Sequence, residues 1–226
     1  MGTSNQQVSN KKITKKYYFS VEGETEQWYL EWLEKCINTS NQATYKVSFQ
    51  IKIQKNPLKY AKFLAITSPT EIWHLADYES SEDIHVRQFT EIMDNMKEAT
   101  RIGKDITYRF GYSNFTFDLW IILHKTTCNG TYAHRDHYLA PLNSAYGEHF
   151  QNMDEYKHED NFKRCLKQLE LSNVIDAVNR AEKIMQENLK RGYTLYQYKG
   201  YQYYKENPSL NVWQIVKKIL VECGLK

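Results

Sequence analysis

The run Tyr17-Tyr18-Phe19-Ser20-Val21-Glu22-Gly23-Glu24-Thr25-Glu26 constrains this chain most, because a β-prone segment stops there at an acid, a glycine and two further acids. Aromatic and β-branched residues suit a pleated, buried strand, and Gly23 permits a tight turn that bulkier residues resist. Such a strand delivers Glu22 to its own C-terminal edge, the edge at which open α/β sheets bind ligands. Beyond the turn, Trp28, Tyr29, Trp32, Leu33 and Cys36 recur at helical spacing, with Thr25 as the expected cap and Glu26 in the first turn near Glu22. Glu24 needs no explanation beyond its place at the positive end of that helix.

The alternation continues down the chain. Lys46 to Ile53 switches between polar and apolar residues, the period of a half-exposed edge strand, and Pro57 opens a helical segment that ends before Ser68-Pro69. Glu71 to Asp77 is apolar on both faces through Ile72, Trp73, Leu75 and Ala76, as a central parallel strand would be, and it ends in Asp77-Tyr78-Glu79. A helix is expected over Ser80 to Thr100 with Ile84, Phe89, Ile92, Met93 and Met96 as its stripe, then a strand through Ile106, Tyr108 and Phe110. Ser113 or Thr116 then caps an apolar helix running to His124. Four strand–helix alternations predict an α/β fold, a mostly parallel sheet with helices on both faces.

After His124 the pattern changes to loops with a short helix, then helices over Glu159 to Leu169, Asn173 to Lys190 and Leu210 to Cys223. The expected organisation is a polar, disordered leader at 1–15, an α/β domain over 16–125 and a mainly helical region over 126–226 packed on it. A net charge of +3 on 226 residues neither requires nor excludes a nucleic-acid partner. The four cysteines lie far apart without a Cys-x-x-Cys pair, so no zinc ribbon or redox motif is indicated and reduced thiols in a cytoplasm are expected. No apolar run approaches the roughly 20 residues that span a bilayer.

Two acidic groups therefore end separate strands, Glu22 on one and Asp77 with Glu79 on another. In a parallel sheet both lie at one edge. Bare carboxylates about 4 Å apart cost about 4 kcal/mol per pair at an effective dielectric of about 20, so such a cluster calls for protons or a cation. Mg²⁺, or Mn²⁺ in its place, prefers carboxylate oxygens and retained waters, and at such a site it polarises a phosphodiester and activates a water. Taken alone, Asp77 and Glu79 read equally well as a strand-end turn.

Other polar features weigh less. His134 and His137 form a weak metal pair, more simply solvated surface, and His124 reads as a buried or capping histidine. Tyr196, Tyr198, Tyr201, Tyr203 and Tyr204, interleaved with Lys199 and Lys205, could stack single-stranded bases. A hairpin turning at Gly200 with tyrosines on the core accounts for the same pattern.

The first-strand acids followed by Asp77-Tyr78-Glu79 resemble the Toprim domain of topoisomerases, primases and overcoming-lysogenization-defect nucleases. More specifically, Ser113-Asn114-Phe115-Thr116-Phe117-Asp118-Leu119-Trp120-Ile121-Ile122-Leu123-His124 is similar to the Ser-Asn-Pro-x-Phe-Glu-x-Trp-Leu-Leu-Leu-His signature of RloB-family proteins. Asn207-Pro208-Ser209-x-Asn211-Val212 resembles that family's C-terminal block. The resemblance implies a Toprim/Rossmann-like fold and a Mg²⁺-dependent nuclease cutting DNA or RNA, transfer RNA included. It also implies a place in an antiphage system, abortive-infection or restriction-linked, beside an ATPase partner. By position it makes Glu22 a metal ligand or acid/base, Asp77 and Glu79 metal ligands, Glu26 and Asp118 further acids, and Asn114 a supporting residue. Three departures stand out: Glu79 where a second Asp is expected, Asp118 for Glu and Phe115 for Pro. They keep a second expectation open, a non-catalytic sensor or adaptor of the same fold that binds nucleic acid, a nucleotide or an ATPase.

Overall fold

The structure, a computed structural model, describes residues 12–226. Most of the expected leader therefore lies outside the described residues; its last part does not, because the first strand already begins at Thr14. The elements are β1 (Thr14–Val21), α1 (Glu24–Thr39), β2 (Lys46–Ile53), α2 (Pro57–Phe63), β3 (Thr70–Asp77), α3 (Asp83–Ala99), β4 (Ile106–Asn114) and α4 (Asp118–Leu123). After a 3-10 turn at Arg135–Tyr138 come α5 (Leu139–Tyr146), α6 (Met153–Lys157), α7 (Glu159–Leu166) and α8 (Leu171–Lys190). The hairpin β5 (Tyr196–Tyr198) and β6 (Tyr201–Tyr203), β7 (Ser209–Leu210) and α9 (Val212–Glu222) complete the fold.

Five strands form one sheet in the order β2-β1-β3-β4-β7. The first four are parallel and β7 pairs antiparallel to β4, so the α/β class is as expected and β2 is an edge. The strand alternation sorts side chains to two faces. On one, Phe19, Val21, Trp73 and Leu75 pack with α1, α4, α8 and α9; on the other, Ile72, Ala76, Phe110 and Tyr112 pack with α2, α3 and Tyr203 of the hairpin. The C-terminal region thus contributes a strand to the sheet as well as most of the helices on one face.

Several expected boundaries move, each for a visible reason. Ser113 does not cap α4: with Asn114 it extends β4, because their backbones pair with Leu210 and Ser209 of β7. That pairing also takes Leu210 out of the last helix, which starts at Val212. Ile84 leaves the α3 stripe and is 58% exposed, since α3 begins only at Asp83 and its first turn precedes the core contact. The tyrosine-rich stretch is a hairpin turning at Lys199 (φ 52°) and Gly200 (φ 94°), two left-handed residues in succession, as tight hairpins favour. Tyr203 is buried against Phe89 and Tyr112, so these rings serve the core.

Candidate active site at the C-terminal edge of the sheet

The register of the parallel strands builds the site. Val21 of β1 is level with Leu75 of β3, which places Asp77 beside the turn carrying Glu22. The two meet directly: the Asp77 amide donates to a Glu22 carboxylate oxygen at 3.2 Å. Gly23 earns its place by proximity to Glu26 and not by unusual backbone angles. Its φ of −144° is ordinary extended backbone, but a Cβ there would lie 3.2 Å from the Glu26 carboxylate. Thr25 does not cap α1 as expected; its hydroxyl donates to Glu26 at 3.1 Å, and Gly23 occupies the cap position. Glu26 is thereby buried in the first turn of α1, near the free amides and positive pole of the helix.

Asp118 opens α4 and is fully buried. The Thr116 hydroxyl donates to its Oδ2 at 2.7 Å and accepts the Asp118 amide at 3.5 Å, so Thr116 holds both the side chain and the backbone of α4's first acid. Lys157, at the end of α6, brings its ammonium to the same oxygen at 3.1 Å. Sequence reasoning missed Lys157. Nothing in its local pattern marks it; it arrives because Tyr156 is buried between Phe150 and Phe162, and Phe162 in turn packs on Trp28 of α1. Asp118 Oδ1 and the Tyr156 hydroxyl are both buried without a hydrogen-bond partner among the described residues.

The electrostatics follow from four neighbouring acids, three of which, Glu26, Asp77 and Asp118, share the Lys157 ammonium. Burial, opposed by the Asp77 amide and reinforced by Glu26, pushes the Glu22 carboxyl up to about 7, while nearby Lys55 pulls the other way. Burial likewise raises Glu26, with Asp118 adding to it and Lys157 opposing it. Burial and then repulsion from Glu26 and Glu22 hold Asp77 well above the usual carboxylate range. Lys157 is pushed upward, first by Asp118 and further by Asp77 and Glu26, and stays charged.

The remaining expected residues make other contacts, although Glu79 stands near enough to Glu22 to add to the repulsion on it. Glu79 has a left-handed φ of 32° and turns to His85 at 3.1 Å and Arg135 at 3.9 Å. Asn114 directs its side-chain nitrogen at the backbone carbonyls of Lys205 and Glu206, 2.8 and 3.3 Å away, and so fixes the segment leading into β7. His124 is buried between the Trp120 carbonyl (2.8 Å) and the Tyr29 hydroxyl (3.2 Å), and burial lowers it to about 4. His134 bonds to Asp136, and both are exposed.

A hard divalent cation fits the chemistry of this donor set: carboxylates held near one another, pushed toward their protonated forms, and one buried oxygen of Asp118 without a partner. In the present side-chain arrangement, no three His, Cys, Asp or Glu residues among those described gather at metal-ligating distance. Glu22, Glu26, Asp77 and Asp118 are the residues that would hold such an ion, with Lys157 as their resident counter-charge.

An α/β protein with a carboxylate cluster at the C-terminal ends of parallel strands is what the fold and site define. The RloB-like protein family model matches residues 17–219, nearly the whole chain, and this protein belongs to that family. No curated protein and no solved structure matches it. Among the described residues no helix is long and apolar enough to cross a membrane.

Proposed function

We propose that this RloB-like protein is a Toprim-type, Mg²⁺- or Mn²⁺-dependent nuclease that cuts phosphodiester bonds of DNA or RNA in a cytoplasmic antiphage response, in concert with an ATPase partner. The observation that carries the reading is the Glu22–Asp77 contact, which joins acids from two distant stretches at one sheet edge. A bound Mg²⁺ would supply charge to the phosphoryl oxygens and a more acidic water. Glu22, on the turn after β1 beside Asp77, is placed either to hold the cation or to take a proton from the attacking water. Asp77, Glu26 and Asp118 offer oxygens to the cation. Lys157, permanently charged beside Asp118, offsets anionic charge as a phosphodiester approaches.

Plasmid, single-stranded DNA and transfer RNA incubated with Mg²⁺ or Mn²⁺ test this. The expected outcome is cleavage of at least one substrate by the wild type and a loss of about 100-fold or more in Glu22→Gln and Asp77→Asn. Cleavage that both substitutions leave intact would remove this site from consideration. A second reading, a non-catalytic sensor or adaptor, is favoured by one feature: the Lys157 ammonium already supplies a positive charge to the acids. It requires no divalent ion, and wild-type protein that neither binds Mn²⁺ nor cleaves would support it.

A further inference from the structure

Beside the carboxylate cluster, on the α2–α3 side of the sheet, runs an open groove of about 360 Å³ that includes Glu22 and Glu79 in its wall. Its remaining lining is almost entirely polar: Lys55 and Lys59 from the β2–α2 connection and α2, carboxamides at Gln54, Asn56, Gln88 and Asn95, and one carboxylate, Glu91. The size lies at the low end of the roughly 300–1,000 Å³ of ligand sites, room for a nucleotide unit rather than a large cofactor.

Three features define what fits. First, neither Lys55 nor Lys59 meets a carboxylate at ion-pair distance among the described residues, although Glu22, Glu79 and Glu91 share their groove. Two ammonium groups with no fixed partner at the mouth of an acidic site are available to phosphate oxygens. Second, the carboxamides are only partly committed within the protein. Asn56 accepts the Lys59 amide and Gln54 accepts the Asn56 amide through their oxygens, leaving both side-chain NH₂ groups for another acceptor. Asn95 donates to the Glu91 carbonyl and keeps its oxygen. Donors and acceptors on opposing walls can address base edges, but only when those edges are not engaged in pairing. Third, Ile92 is the only apolar residue in the lining among the described residues, and the rest of its apolar surface is the aliphatic stems of polar side chains, a mix that suits an amphipathic ligand such as a nucleotide better than a hydrophobic one.

We propose that this groove is the seat of one nucleotide of a single-stranded nucleic acid, with Lys55 and Lys59 on its phosphates and the carboxamides on its base and sugar, leading the strand to Glu22 and Asp77. The proposal rests on the nuclease reading for its direction toward the acids, but binding can be measured apart from cleavage.

The test is fluorescence anisotropy with a short labelled oligothymidylate or oligouridylate in EDTA over a series of salt concentrations. The wild type should bind, with an affinity that falls as salt rises. The Lys55→Gln/Lys59→Gln protein should bind about tenfold more weakly, and its salt slope should be shallower by about 1.4, two single-strand phosphate contacts. Lys55→Arg/Lys59→Arg should retain binding, which separates charge from folding if the glutamine protein is unstable. Unchanged affinity and salt slope in the glutamine protein would overturn the proposal. So would equal or tighter binding of a duplex of the same sequence, or full competition by a free 5′-mononucleotide at the oligonucleotide's own concentration. If the wild type binds in this lysine-dependent way yet cleaves nothing with Mn²⁺, the subsite stands and the hydrolytic reading fails.

Discussion

At the scale of the residue, burial turns ordinary carboxylates into a strained group. Glu22 has a folded pKa of about 7 against an ordinary 4.5, so the folded chain holds a proton between those values that the unfolded chain has released. Its contribution to stability is therefore greatest at low pH and is lost as pH rises from about 4.5 to 7, up to about 3 kcal/mol in total. His74 and His124, lowered to about 3 and 4 by burial, act in the opposite sense below about 6.5, so the whole-protein pH curve mixes both effects. The difference between Glu22→Gln and wild type isolates the carboxylate. The variant should match the wild-type Tm at pH 4.5 and exceed it by several degrees at pH 8, at about 2–4 °C per kcal/mol for a chain of this size. A variant less stable than wild type at pH 8 would mean that Glu22 is not destabilised there. Lys157→Met removes the ammonium from a fully buried acid. It should cost about 3 kcal/mol, the low end for breaking a buried pair, since Lys157 itself reaches solvent. Urea unfolding at neutral pH measures it, and Lys157→Met/Asp118→Asn should recover much of the loss.

At the scale of the element, most of the parallel sheet was legible because each strand carries its own period. The Glu71–Asp77 run, apolar on both faces, marked a central strand, and β3 does lie between β1 and β4. What was not legible depends on partners distant in sequence. Ser113 looked like a helix cap until β7, almost a hundred residues later, supplied strand pairing for it and for Asn114. Lys157 gave no sign of its role, because α6 is positioned by aromatic contacts of Tyr156 with Phe150 and Phe162 and not by anything in its own five residues. Gly111 is a related case. It allows β4 to lie close to Leu75 of β3: a Cβ there would come within 2.5 Å of a Leu75 methyl, with the α9 backbone at Val212 behind it at 3.6 Å. Gly111→Val should therefore cost about 1–3 kcal/mol through overpacking, read as a lower urea midpoint with an unchanged slope. A neutral result would show that β3 and α9 move apart freely.

At the scale of the whole molecule, two halves of the chain share one site. β1, α1, β3 and α4 bring Glu22, Glu26, Asp77 and Asp118, and the later α6 brings Lys157. The C-terminal region is thus part of the candidate chemistry as well as of the core, since it also completes the sheet through β7 and the core with α8 and α9. Of the acids anticipated from the sequence, Glu22, Glu26, Asp77 and Asp118 come together, whereas Glu79 turns to His85 and Arg135. A carboxylate group that is costly when ionised should favour a divalent ion over protons as pH rises. Calorimetric titration of the protein with Mn²⁺ at pH 8 measures this directly. The account predicts saturable binding by the wild type that is lost or weakened at least about tenfold in Asp77→Asn, the loss of one charged ligand. Absence of binding by the wild type, or equal binding by both proteins, would contradict it.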